Sequence, residues 1–150
     1  MYDNTLGTLH HCRITGNTAS NTGGGVWIQG GGSASNCWLE GNRTLATNDW
    51  TGGGGVYMAS EGYPHGGTLV NCVLTHNESG YYGGGLYAFG PAGTLALVAN
   101  CTVVSNTARV NGGGAFAYTT RFINNILYHN SAPAGPNLES HGLSSLVQHC

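Results

Sequence analysis

The sequence predicts an all-β chain wound as a parallel β-helix, a solenoid of about five turns, and three observations predict it. The first is a five-part word: a Cys or Asn anchor, an aliphatic residue two places on, an Asn five places on, a Gly run, then an apolar triplet with an aromatic at its centre. It reads Cys12-Ile14-Asn17-Gly23-Val26-Trp27-Ile28, then Cys37-Leu39-Asn42-Gly53-Val56-Tyr57-Met58. It returns as Cys72-Leu74-Asn77-Gly83-Leu86-Tyr87-Ala88 and as Cys101-Val103-Asn106-Gly112-Ala115-Phe116-Ala117. A degraded copy, Asn125-Leu127-Asn130-Gly135-Leu138-Glu139, follows, and His149-Cys150 opens another. The anchors are 25, 35, 29, 24 and 25 residues apart, and repetition at that period means units that bury their apolar faces only against their neighbours. The second observation is that Gly runs fall at one phase of the word, where the backbone needs positive φ or close approach. The third is that the segments between them are short, rich in β-branched and aromatic residues, and alternate in period two rather than at helical spacing.

Each unit offers three short strands. One ends about three residues before the anchor (Leu9, Ala34, Leu69, Val98, Phe122, Val147), one is the anchor strand, and one is the triplet after the Gly run. Strands of one type recur in phase, so they stack about 4.8 Å apart. Anchor, anchor+2 and the outer members of the triplet are almost all apolar and are expected inside. Anchor+1 (Arg13, Trp38, Val73, Thr102, Ile126) and anchor+3 (Thr15, Glu40, Thr75, Val104, Tyr128) are mixed and belong to solvent.

Composition narrows the function. With 150 residues, 40% of them hydrophobic, the chain has one domain's worth of core. It carries six acidic residues, no Lys and only four Arg (Arg13, Arg43, Arg109, Arg121). No basic stripe can displace counterions from phosphates, so nucleic acid is excluded as a partner. No apolar run approaches the roughly 20 residues that span a bilayer, and no secretory signal pattern opens the chain. Because it starts and stops inside a unit, residues 1–150 read as a single β-helix domain cut from a longer solenoid. Such uncovered ends, with little charge to repel one another, invite end-to-end self-association.

The Gly-Gly-Gly-aliphatic-aromatic element with the Asn-Cys-x-x-x-x-Asn element resembles the right-handed parallel β-helix repeats of the pectin-lyase-like superfamily. It is closest in style to repeats of bacterial secreted, cell-surface and polymorphic outer-membrane proteins. The resemblance covers residues 9–150 and implies the fold and a secreted or surface location. It implies little about activity, because that superfamily holds lyases, hydrolases, adhesins and passengers without chemistry.

Several columns run along the expected helix. Asn17, Asn42, Asn77, Asn106 and Asn130 share the phase after the anchor strand, where stacked carboxamides can satisfy buried turn backbone. Asn36, Asn71, Asn100 and Asn124, with His11 and His149 at the ends, form a second column expected to do the same. Asn42, Asn77 and Asn100 also match the glycosylation acceptor pattern. Cys12, Cys37, Cys72, Cys101 and Cys150 lie at the inward anchor phase, where a free thiol behaves as a small hydrophobe. A linear column does not converge four ligands as zinc requires; His76 and His129 share a phase but Ser105 lies between them. No metal and no cofactor is expected.

Catalysis by the lyase-like or polygalacturonase-like relatives needs carboxylates gathered on one face. Asp3, Glu40, Asp49, Glu61, Glu78 and Glu139 are dispersed, and only Asp49 and Glu61, in the two insertions of the second unit, can meet; Trp50, Tyr63 and His65 accompany them. A solvated loop is the plainer account, and no catalytic residue is assigned. Trp27, Tyr57, Tyr87 and Phe116 turn outward on one sheet as a ridge whose faces can stack on sugar rings, with Trp50 reaching in. The competing account is that the rings stack on one another, each pair stabilising the sheet by about 0.2 to 1 kcal/mol. The reading is a non-catalytic scaffold or adhesin-like segment of a secreted or surface bacterial protein, with polysaccharide or a host glycan as its partner. The alternative is a piece of a polysaccharide lyase or glycoside hydrolase whose carboxylates lie outside this stretch. Ice binding needs a flat outward Thr array, which Thr15, Thr75 and Thr102 do not supply.

Overall fold

The computed structural model describes residues 7–59, 65–90, 95–142 and 146–149. In chain order the strands are β1 (Thr8–His10), β2 (Arg13–Thr15), β3 (Thr18–Ala19) and β4 (Val26–Gln29), then β5 (Ser33–Ser35), β6 (Trp38–Glu40), β7 (Arg43–Thr44) and β8 (Val56–Ala59). The set returns as β9 (Thr68–Val70), β10 (Val73–Thr75), β11 (Glu78–Ser79) and β12 (Leu86–Phe89), and as β13 (Ala96–Ala99), β14 (Thr102–Val104), β15 (Thr107–Ala108) and β16 (Ala115–Tyr118). The last are β17 (Thr120–Ile123), β18 (Ile126–Tyr128), β19 (Leu138–His141) and β20 (Leu146–Gln148). Among the described residues they form four sheets, β1-β5-β9-β13-β17-β20, β2-β6-β10-β14-β18, β3-β7-β11-β15 and β4-β8-β12-β16-β19. Every pairing is parallel, and the register keeps like positions of the word side by side, as in Ile14↔Leu39, Leu39↔Leu74 and Leu74↔Val103. This is a parallel β solenoid, all-β among the described residues.

Four strands per repeat, not the expected three, is the main departure. The extra sheet is made of two-residue strands directly after the ladder asparagine. Two residues are too short for period-two alternation to be visible in a sequence. Beyond β15 this sheet shrinks to an isolated Thr107↔Ser131 bridge.

Single residues in the left-handed region turn the chain from sheet to sheet. Between the first and second sheets they are His11, Asn36, Asn71, Asn100, Asn124 and His149, at φ 51° to 54°. Asn is among the few side chains that tolerate this region. All six side chains are exposed, so this column is a corner rather than the hydrogen-bonded ladder its composition suggested. Between the second and third sheets the corner residues are Gly16, Gly41, His76, Ser105 and His129, which explains why two histidines shared a phase. Before the fourth sheet stand Gly23, Gly53, Gly83, Gly112 and Gly135. There only Gly fits: a Cβ on Gly53 would lie 2.2 Å from the Val56 carbonyl oxygen.

The inward face is the expected one. Leu39, Leu74 and Val103 from the second sheet, Val56, Met58, Leu86, Ala88, Ala115 and Ala117 from the fourth, and Ala34, Leu69, Val98 and Phe122 from the first form one buried cluster. The columns of Asn17, Asn42, Asn77, Asn106 and Asn130 run beside it as a true ladder. The backbone N–H of Asn42 donates to Asn77 Oδ1 at 2.9 Å, and Asn42 Nδ2 donates to the same oxygen at 3.1 Å and to the Ile14 carbonyl at 2.9 Å. Asn77 repeats this on Asn106 and Leu39, and Asn106 on Asn130 and Leu74. Each rung therefore satisfies backbone groups of the turn before it that would otherwise be buried without partners. Asn42 and Asn77 are thereby sequestered from any modification, whereas Asn100 is exposed. No helix among the described residues is long and apolar enough to cross a membrane.

Candidate functional site: the outer face of the fourth sheet

Strands β4, β8, β12, β16 and β19 put two columns of side chains outside the core. One is Trp27, Tyr57, Tyr87, Phe116 and Glu139; the other is Gln29, Ala59, Phe89, Tyr118 and His141. Alternation from inward Val26, Val56, Leu86, Ala115 and Leu138 dictates this. The outward direction of Trp27, Tyr57, Tyr87 and Phe116 is thus as the word implied, and none of the four belongs to the core cluster.

Their exposure differs from an open ridge. Trp27 is 59% exposed and Tyr57 is half-buried, but Tyr87 is 1% and Phe116 8% exposed. The rings pack edge-to-face down the column, with centroids 6.1 Å apart for Trp27 and Tyr57, 5.1 Å for Tyr57 and Tyr87, and 5.3 Å for Tyr87 and Phe116. Tyr82, in the turn between β11 and β12, lies flat on Phe116 at 4.4 Å and edge-on to Tyr87 at 6.2 Å. The expectation of four rings in a water-facing row is therefore corrected: an outer layer covers the centre, and Tyr87 and Phe116 offer no free face. Burial pushes the Tyr87 hydroxyl pKa well above the usual tyrosine range, with the nearby Tyr57 and Tyr82 hydroxyls adding to it.

The insertion in the second repeat supplies the rest. Trp50, at φ 66°, is 64% exposed and meets Phe89 edge-on at 5.5 Å. Phe89 in turn lies 5.5 Å from Tyr118, which is 39% exposed. The Tyr81 hydroxyl donates to Asp49 Oδ1, tying this insertion to the next repeat, and that bond holds the Tyr81 pKa up. The accessible aromatic surface is therefore Trp27 at one end and Trp50, Phe89 and Tyr118 across the sheet. Tyr82, Phe89 and Tyr118 were missed in the sequence because each aromatic occupies its phase in one or two repeats only.

The carboxylates are engaged separately. Glu40 accepts from Arg13 at 3.0 Å and from Trp38 Nε1 at 3.1 Å, and these bonds hold its carboxyl below the usual range. Glu78 lies 3.5 Å from Arg43, and Glu139 lies 3.0 Å from His141. Asp3, Glu61 and Tyr63 fall outside the described residues, so the expected meeting of Asp49 with Glu61 does too. Among the described residues no three His, Cys, Asp or Glu side chains converge as metal ligands.

The cysteine anchors are more than small hydrophobes. Cys12, Cys37, Cys72 and Cys101 are free thiols. The backbone N–H of Cys12 donates to Cys37 Sγ at 3.5 Å, that of Cys37 to Cys72 Sγ at 3.4 Å, and that of Cys72 to Cys101 Sγ at 3.4 Å. Asn125 takes the next place with the same chemistry, its Oδ1 accepting from Cys101 N–H at 2.8 Å and its Nδ2 donating to the Val98 carbonyl at 2.9 Å. Burial pushes the Cys37 thiol pKa up; at Cys101 the hydrogen bond its own thiol gives to the Cys72 sulfur, with burial, does so.

No family model, no curated protein and no solved structure matches the chain.

Proposed function

We propose that this chain is a right-handed parallel β-helix of about five turns, of the pectin-lyase-like kind, and a non-catalytic segment of a secreted or cell-surface bacterial protein that grips polysaccharide. One observation carries the binding reading: Trp27, Trp50 and Tyr118, each 39% to 64% exposed, lie on the outer side of the same sheet. Large exposed aromatics on a rigid sheet give a sugar ring a preformed apolar face at little entropic cost. Buried Tyr87 and Phe116, with half-buried Tyr57 and Tyr82 packed on them, support that surface. The nearby carboxylates are already paired, which favours stacking over charge as the source of affinity, and binding is therefore insensitive to salt.

The test is a glycan array, followed by titration of the best hit against Trp27→Ala, Trp50→Ala and the double variant. Loss of affinity in the folded variants supports the face as the binding surface. Unchanged affinity removes it, and an array without hits leaves a scaffold alone. Tyr87→Ala is a poor probe, because it excavates a buried position.

A further inference from the structure

The thiol column lines the buried core and stands apart from the aromatic face. Cys12, Cys37, Cys72 and Cys101 immediately precede β2, β6, β10 and β14, which lie side by side in parallel register. Every sulfur shares one contact: it donates to the carbonyl two residues back, from Cys12 to His10 at 3.4 Å, Cys37 to Ser35 at 3.1 Å, Cys72 to Val70 at 3.3 Å and Cys101 to Ala99 at 3.3 Å. Cys72 and Cys101 add a second carbonyl in the preceding rung, Ala34 at 3.7 Å and Leu69 at 3.6 Å. From Cys37 onward each also accepts the anchor N–H of the neighbouring rung. Cys12 and Cys37 share the single carbonyl contact two residues back, and with that common orientation their sulfurs are offset by the inter-strand spacing, about 4.7 to 4.9 Å.

That offset matches a particular coordination. A metal–thiolate bond is about 2.3 Å for zinc, so two such bonds in line span about 4.6 Å. Zinc itself wants four ligands converging on a point, and the column supplies two per gap. Soft monovalent ions of filled d shell select thiolates and accept two of them in a straight line. Among the described residues Cys12 is half-buried while Cys37, Cys72 and Cys101 are buried, and Cys12 and Cys37 both line a surface groove that runs on to Asn71 and Val73.

We propose that Cys12 and Cys37 form a two-coordinate site for a soft monovalent cation, copper(I) or silver(I). Two S–H bonds break and two sulfur–metal bonds form. Both protons leave to solvent, the bis-thiolate complex carries one negative charge, and no electron is transferred.

The test uses the full chain carrying Cys150→Ser, reduced and then freed of reductant, titrated with silver(I), which needs no redox control. Thiolate-to-metal absorbance in the ultraviolet, native mass spectrometry and proton release are read together. The expected result is one tightly held ion per chain and two protons released. Cys12→Asn keeps the hydrogen-bonding rung, as Asn125 does beside Cys101, and loses the ion; Cys101→Asn keeps it. Circular dichroism establishes that both variants are folded, and Cys12→Ser replaces Cys12→Asn if the latter is not. No ion on the parent chain, an ion retained without Cys12, or an ion lost equally in the Cys101 variant overturns the proposal.

Discussion

Asn137 Oδ1 accepts from both the backbone N–H of Asn130, at 3.2 Å, and its Nδ2, at 3.1 Å, the two bonds that every earlier ladder asparagine gives to the asparagine of the next rung. Asn137 belongs to a different phase. It stands where Gly25, Gly55, Gly85 and Gly114 stand in the other repeats, and a Cβ on Gly114 would lie 2.7 Å from Asn130 Nδ2. In the fifth repeat a side chain from within the turn closes the asparagine column, where the preceding turns keep Gly so that the column can continue.

Interior and closing asparagines should therefore differ in cost. Asn106→Ala orphans the Asn77 N–H and the Leu74 carbonyl, both buried, and at about 1 to 3 kcal/mol per group should destabilise by about 2 to 6 kcal/mol. Asn137 is exposed, so water replaces its bonds to Asn130, and Asn137→Gly should cost about 1 kcal/mol or less. Urea titrations of the two variants decide; similar midpoints would mean that the ladder does not satisfy buried backbone.

At the anchors, the hydrogen bonds change what a substitution does. Asn125→Cys places there the same acceptor that Cys37, Cys72 and Cys101 provide, and should shift stability by about 1 kcal/mol or less. Asn125→Leu is more apolar but leaves the Cys101 N–H and the Val98 carbonyl without these partners, and should cost about 2 to 6 kcal/mol. Leu74→Ala, in the middle of the core, should cost about 2 to 5 kcal/mol. If Asn125→Leu proved the more stable of the two Asn125 variants, the anchor would be an apolar position after all.

What could be read in the sequence was whatever repeats once per turn. The period, the inward positions and the Asn17-to-Asn130 ladder each pair one residue type with one geometry, so spacing alone exposes them. The Asn36 column looked the same in sequence and proved to be a left-handed corner, because Asn serves both purposes and only φ separates them. Tyr87 was legible as outward but not as covered: its cover comes from Tyr82, whose register partners in the bridges before the Gly runs are Thr22, Gly52, Asn111 and Ala134. An aromatic that appears at its phase once leaves no periodic trace.

Glu40 joins two neighbouring strands through Arg13 and Trp38, and its depressed pKa gives a pH signature. The group stays ionised in the fold at pH values where an unfolded Glu, near 4.3, has begun to protonate. Its contribution is present above the unfolded pKa and is lost as pH falls through the lower folded one. Because the carboxylate is solvent-exposed the effect on stability is small, so the readout is local: the Trp38 indole N–H resonance should move with a titration midpoint below that of a model glutamate. An indole signal that follows an ordinary glutamate midpoint, or that does not move, would break the link.

Tyr87 gives the opposite sign at high pH. Its folded pKa is raised by burial above the value near 10 of an unfolded tyrosine, so between the two the unfolded chain has lost a proton that the folded chain keeps. Stability is then fully present below pH 10 and falls as pH rises toward the folded pKa. Tyr81 contributes with the same sign through its bond to Asp49, but at the surface and therefore weakly. Tyr87→Phe keeps the ring between Tyr57 and Phe116 and removes the ionisable group. Denaturant midpoints measured from pH 8 to 11 should fall less steeply for Tyr87→Phe than for the parent chain above about pH 10. Parallel curves for the two proteins would show that the Tyr87 hydroxyl reaches water, and that the outer aromatic layer is more open than its packing describes.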